Sequence, residues 1–494
     1  MKGLLFFVLV FFYVVYTNAQ AITEKRIEFD LRNGYYNERI FESSKGFFVL
    51  ESIADKDIDG KTEIKYDLYN GDLELAKTES VFLPKRFHKA GFYYNDNYIY
   101  NLYFITGNEF IINIIDMVTL DSKIITGKHT PKIIVESFAV YGNNAYCSAF
   151  YKKAKIVLKI DLSTGKETIV PVNIGTISPK KIKIENFQLI EKTGEVFLFA
   201  KARLSKSMQE FYMIKISDNE THNDVIKISS ALDNSISSIS ADKIDNDKII
   251  ITGTYSKNGY TSEGLFFGEL DDGTLSYMNY YNFLDLKDFL SYLPPKKQEK
   301  INKKKEKKEA QGKEMTLDYW IASHNIIELN DGYLFLGEAY YPTYRTETYT
   351  TYVNGVATTH YRTVFDGYQY THATLGKFSK KGELMWDVCF ELNPGYKPFS
   401  VRRFIAISDK TADQISMAYT SRNNIVSKTI DFDGKIISDK KWNYIETNNE
   451  TDKLKRTYSA VNHWYGNYFL AYGSQVIKSD NGKRKVYFIN KIGF

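Results

Sequence analysis

Short apolar runs alternate with polar turns through most of the chain. Three segments show the unit: FAVYGNNAYCSAFYKKAKIVLKIDLSTGKETIV (138–170), FQLIEKTGEVFLFAKARLSKSMQEFYMIKIS (187–217) and IDNDKIIITGTYSKNGYTSEGLFFGELDDGTLSYM (244–278). Each predicts a strand, a polar turn and a short apolar strand (AYCSAF, EVFLFAKA, KIIITGTY). A second turn follows, then a strand ending in Asp, Ser or Gly. Related units fall near 46–75, 92–124, 326–392, 403–436 and 463–493. Repeated meanders of two to four strands predict an all-β fold, a β-propeller of about seven to eight irregular blades. The central runs are apolar at successive residues, as strands buried on both faces require. Composition agrees, since 39 Tyr and 33 Phe against nine Pro favour strands.

Two other β architectures compete. A stack of β-sandwiches would also give short strands, and the units carry no WD or kelch signature. The Tyr-rich chain ends VYFINKIGF, with a terminal Phe and alternating apolar residues, which are features of outer-membrane barrels. A barrel, however, needs many strands of about ten residues with one wholly apolar face, and KIIITGTY and EVFLFAKA do not alternate that way. The last strand is instead expected to close a propeller by pairing with an early strand such as RIEFDL (26–31).

The N-terminus predicts export. Lys2 precedes an uncharged apolar run from Leu4 to Tyr16, and Thr17-Asn18-Ala19 puts small residues before Gln20. That run is too short for a bilayer core of roughly 30 Å, and no later segment of membrane length follows. The expected organisation is a signal peptide at 1–19, propeller at 20–284, an insertion at 285–317 and propeller again at 318–494. The expected location is the periplasm, the cell surface or the extracellular medium. Only two cysteines occur, Cys147 and Cys389, which could pair in an oxidising compartment or remain buried thiols.

The net charge of +5 is concentrated. Residues 296–313 hold nine Lys against three Glu; without that segment and Lys2 the chain stands at −2. A nucleic-acid partner would call for basic residues spread over a folded face, so that class is excluded. In the insertion, NFLDLKDFLSYL (282–293) has helical apolar spacing, Pro294-Pro295 breaks it, and KKQEKINKKKEKKEAQGK continues with strong helix formers. A solvated helix or disordered linker accounts for this tract, and so does an electrostatic contact with anionic lipid or polysaccharide.

The stretch YRTETYTTYVNGVATTHYRT (344–363) breaks the blade pattern. Asn354-Gly355 signals a type I′ turn. With that turn Val353 faces Val356, Thr351 faces Thr358, Tyr349 faces His360, Glu347 faces Arg362 and Tyr344 faces Phe365. Such Thr–Thr, aromatic and opposite-charge pairs support an antiparallel ladder. Continued inward, the register sets Pro342 opposite Gly367, where a bulge is expected because Pro donates no ladder hydrogen bond. The hairpin spans 341–368, and ten pairs extend it by roughly 30 Å. An isolated ribbon is marginal in water, so it is expected to lie on a neighbouring blade, to bind a partner, or to self-associate. Tyr341, Tyr344, Arg345, Tyr349, Tyr352, His360, Tyr361 and Arg362 are the candidate ligand-binding residues, facing a glycan or an envelope protein. The run from IIELNDGYLFLGEAYYPTYRTE through FDGYQYTHATLGKFSKKGELMWD, after a Lys-rich insertion, resembles a family of uncharacterised secreted bacterial proteins, most densely over 315–395. The resemblance implies export and a β-repeat fold, and transfers no catalytic residue.

Motifs for catalysis are missing: there is no phosphate loop, dinucleotide fingerprint, G-x-S-x-G elbow or H-E-x-x-H helix. The seven His are scattered, with no close pair at ligand spacing. The function expected is therefore non-catalytic binding or scaffolding. The alternative is a secreted propeller hydrolase or lyase with paired carboxylates in the central cleft. One element looks metal-like. In DKDIDGKTE, Asp55, Asp57, Asp59 and Glu63 have the spacing of a calcium loop around Gly60. Tyr66, where such a loop has its bidentate Glu, and the charges of Lys56 and Lys61 count against it, and a polar turn between SKGFFVLESI and KYDLYN is the preferred reading.

Overall fold

The computed structural model describes residues 22–31, 35–152, 154–170, 172–205, 209–216, 224–231, 234–244, 248–257, 261–395, 403–408, 414–449, 451–479 and 482–494. The expected signal peptide lies outside them. Antiparallel sheets follow one another along the chain as blades 1 to 8: 35–84, 88–128, 134–170, 182–231, 235–282, 320–391, 406–444 and 453–493. Blade 6 carries one extra short strand, Ile327–Leu329. Inner strands are buried on both faces, as the apolar runs require: Phe47–Ala54 is buried at every position but the first.

Each gap between neighbouring blades is filled by its own apolar cluster. Between blades 1 and 2, Phe41, Val49 and Ile64 meet Ile99, Ile111 and Ile115. The cluster that decides the architecture joins blade 8 to blade 1, where Trp464, Leu470 and Ile489 pack on Ile40, Phe48 and Tyr69. The sheets therefore close a ring, an eight-bladed β-propeller, rather than a stack of sandwiches.

The ring is locked by the two ends of the chain. Blade 8 reads Lys453–Tyr465, Tyr468–Ser479, Gly482–Gly493 and then Ile22–Asp30, with Arg26 opposite Asn490 and Phe29 opposite Tyr487. The strand RIEFDL thus does what its position in the sequence suggested. Arg26 donates to Glu28 (2.7 and 3.0 Å), Gln475 (2.7 Å) and Asn490 (3.0 Å), and Arg484 bridges Glu28 to Asp452.

Consecutive strands run antiparallel, so loops fall alternately at the two ends of the ring. The turns after second and fourth strands share one end. That end holds the loop 55–60, the insertion 283–319 and the hairpin tip. In the insertion, α1 (Pro295–Glu309) has Pro at its first turn, where the missing N–H costs nothing. The helix expected over 282–293 does not form beyond a single 3-10 turn, Phe283–Asp285. The N–H groups of Lys287 and Asp288 go instead to the Asp387 carboxylate at 2.8 and 2.7 Å, and Asp288 in turn accepts from the N–H of Cys389 at 2.7 Å. Phe283, Leu286 and Phe289 then bury between blades 5 and 6. The apolar spacing was real, but it serves a strap pinned to the outer strand of blade 6. Cys147 and Cys389 are buried free thiols in blades 3 and 6. Among the described residues, no helix is long and apolar enough to cross a membrane.

Candidate recognition ribbon

The strands Gly332–Val353 and Val356–Ser379 begin as ordinary blade strands and run on past the ring. Asn354 and Gly355 have φ of 50° and 81°, the left-handed pair that a type I′ turn demands. From Val353–Val356 to Tyr344–Phe365 the pairing is the one expected from the turn. Inward of it, two register shifts interrupt the ladder, at Thr343/Tyr344 and at Ala339/Tyr340. Pro342 consequently faces Tyr368, and Gly367 (φ 106°) faces Thr343, one residue from the expected match.

Beyond those bulges both faces of the ribbon are open to solvent, so it stands clear of the neighbouring blades. One face carries Thr346, Thr348, Thr350, Thr359 and Thr363 between large aromatics. Tyr344, Tyr352 and Tyr361 on that face are 61%, 74% and 73% exposed. The other face is held by charge. Arg345 and Arg362 both donate to Glu347 (2.7 and 2.8 Å), which holds its carboxyl below the usual range, and Arg345 also reaches Asp366 at 3.4 Å. Beside them Tyr349 stacks on His360 at 5.1 Å, with Thr351 within 2.8 Å of His360 Nε2. Seven of the candidate residues thus lie on one ribbon, split between two faces; Tyr341, also exposed, sits in the bulged segment opposite Gln369.

The root of the ribbon is packed among aromatic rings. Tyr340 meets Tyr368, Tyr370 and Trp320, and Tyr370 stacks on Phe404 of the next blade approach at 5.2 Å. The strap closes over His372, which is fully buried. Tyr292 stacks on it at 3.9 Å, Phe289 and Tyr319 stand edge-on, and the Tyr292 and Tyr319 hydroxyls are 2.8 Å apart. Its Nδ1 lies 3.0 Å from Thr371 Oγ1, and burial holds the ring down at about 3. A ribbon too marginal to stand alone is therefore anchored by two blade strands and the insertion.

No protein-family model matches the chain, and no curated protein sequence does. Among solved structures, the polysaccharide lyase Uly1 is similar at 11% identity and a TM-score of 0.37, over 95% of this chain and 99% of the lyase. The WD40 domain of SCAP from fission yeast is similar at 9% identity and a TM-score of 0.39, over 96% and 98% of the two chains. A prolyl endopeptidase is similar at 10% identity and a TM-score of 0.38; the match covers 89% of this chain and 54% of the endopeptidase, about half its length. The fold rests on the closed ring of blades, and no residue role passes from these proteins.

The metal-like loop is a tight turn. Asp59 and Gly60 take φ of 50° and 73°, and Ile58 pairs with Lys61. Asp57 accepts from Thr62 and pairs with Lys85 (3.1 Å), while Glu63 accepts from Ser80 at 2.6 Å. Asp55 and Asp59 point into solvent, and among the described residues no three His, Cys, Asp or Glu gather as a metal site.

Sequence reasoning missed a set of buried ties near the inner strands. Glu51 accepts from Tyr66 (3.2 Å), Asn101 (2.8 Å) and Lys89 (2.5 Å); burial pushes Lys89 down to about 8, against the pull of Glu51. Glu42 accepts from Tyr94 (2.7 Å) and Asn462 (2.5 Å), and burial raises its carboxyl. Glu338 takes His324 Nε2 at 2.6 Å and the N–H groups of Phe404 and Ile405 at 2.8 and 2.9 Å. One signal was available: a lone Glu inside a run buried on both faces, as in FVLESI and YLFLGEA, must find donors.

Proposed function

We propose that this chain is an exported, non-catalytic recognition or scaffold protein, of the secreted kind its 315–395 run resembles, and that the ribbon 341–368 engages a glycan or protein of the cell envelope. The observation that carries this is the exposure of Tyr344, Tyr352 and Tyr361 on one face of the ribbon outward of its bulges. Exposed aromatics held on a fixed backbone offer large contact area at little entropic cost, which is what binding hot spots use. The anchored root pre-organises them. The hydrolase or lyase alternative needs two carboxylates facing an open cleft. The buried carboxylates Glu42, Glu51 and Glu338 are instead engaged by hydrogen-bond donors across neighbouring strands and blades, which favours a structural role for them.

Replacing Tyr344, Tyr352 and Tyr361 by Ser should leave the β-rich circular dichroism unchanged, because all three are exposed. Retention of the envelope partner should fall at least about tenfold, as expected when hot-spot aromatics are truncated. Undiminished retention would remove the aromatic face from the account.

A further inference from the structure

The insertion beside the ribbon root carries a second surface that the ribbon does not use. Helix α1 holds eight Lys against three Glu and buries no residue. At about 100° per residue, Lys296, Lys297, Lys300, Lys303, Lys304 and Lys307 fall within an arc of about 120°, all of them exposed. The glutamates lie off that arc. Lys305 is turned to the body, where it reaches Leu284 O and Asp285 at 2.9 Å, and Gln298 caps Leu293 O at 2.7 Å. Of the six stripe lysines, only Lys303 has an ion-pair partner among the described residues, Glu299 at 2.6 Å. Like charges recur four apart at 296/300, 300/304 and 303/307, each of which weakens the helix slightly. The helix therefore concentrates positive charge along a line of roughly 17 Å, at about 1.5 Å per residue, at its own expense.

We infer that this stripe is a binding site for a linear polyanion, specifically an acidic polysaccharide, distinct from the ribbon's aromatic face. A single row of point charges matches charged groups repeated along one chain. Membrane surfaces fit less well: an interfacial helix embeds an apolar face, and the one large apolar side chain of α1, Ile301, sits half-buried among the residues that face the body. Nucleic acid also fits less well, since the stripe has no Arg to grip phosphate in a fork, and the chain outside the tract is close to neutral. The connectivity places the helix at the same end of the ring as the ribbon, beside its root.

The test uses the mature chain with polygalacturonate as probe, dextran as the neutral control, and vesicles of phosphatidylglycerol and phosphatidylcholine as the competing surface. The chain should be retarded by polygalacturonate and not by dextran, and the retardation should fall at least about tenfold as salt is raised and the screening length shrinks. The variant carrying Lys300→Glu, Lys304→Glu and Lys307→Glu should lose the retardation with an unchanged melting temperature. A ribbon-shortened variant should keep it. Equal binding by the charge-swapped variant, binding to vesicles but not polymer, or no retardation at all would overturn the inference. Loss in the ribbon-shortened variant alone would also overturn it while leaving the ribbon's recognition role standing.

Discussion

Arg26→Ala is expected to lower the stability of the closed ring by about 3 kcal/mol, because one buried charged donor is removed from three acceptors while Arg484 still pairs with Glu28. Arg26 and Glu28 are the closing strand's own clasp, with side chains only 6% and 8% exposed. The guanidinium also lies over Phe488 at 4.7 Å, and it satisfies Gln475 and Asn490 as well as Glu28. Alanine leaves all three acceptors without that donor. Burial opposes the charged form of Arg26 and Glu28 supports it, so the clasp holds only while both partners are present. Arg26→Lys keeps the charge but not the fork, and should fall between wild type and alanine. Urea unfolding followed by circular dichroism measures the change, and hydrogen exchange should show loss of protection first in Ile22–Asp30 and Gly482–Gly493. A change under about 0.5 kcal/mol would make the clasp ordinary surface pairing.

The second large effect depends on pH. An unfolded histidine titrates near 6.5, whereas burial holds folded His372 at about 3. Between those values the unfolded chain binds the proton and the folded chain does not. The contribution of His372 is therefore complete above about pH 6.5 and drains away as pH falls toward 3. From pH 6.5 to 4.5 the loss is about 2 kcal/mol. Other groups titrate in the same range, and Asp387 and Glu42, both raised by burial, act in the opposite sense. The comparison that isolates the ring is His372→Phe, which keeps an aromatic plate between Tyr292, Phe289 and Tyr319. The variant should lose about 2 kcal/mol less than wild type over that interval. Parallel urea midpoints for the two proteins at pH 6.5 and 4.5 would show that His372 does not carry the acid sensitivity of the strap.

Local chemistry explains how much was readable in advance. The blades were visible because a strand buried on both faces must be continuously apolar and its turns must not be. The ribbon's register was visible because Asn354-Gly355 fixes the pairing and a polar ladder has no competing core. Its inner register differs by one residue from the expected match, in a segment where Tyr340 meets Trp320 and Tyr368 and Tyr370 stacks on Phe404, contacts that no local pattern contains. The strap misled for a similar reason. Residues 282–293 carry helical spacing, but a carboxylate 99 and 100 positions away, Asp387, takes the N–H groups of Asp288 and Lys287. The ties at Glu42, Glu51 and Glu338 were announced only as misplaced charges, since their donors come from distant strands.

We propose that the ribbon recognises an envelope component. The direct measurement is a pull-down from the producing cell's envelope extract, with the mature chain beside a variant in which residues 341–365 are replaced by a Gly-Asn-Gly turn, both first shown to have the same β-rich circular dichroism. A glycan or protein should be retained by the intact chain and lost with the ribbon. Retention of the same partner by both, or of nothing by either, would contradict it.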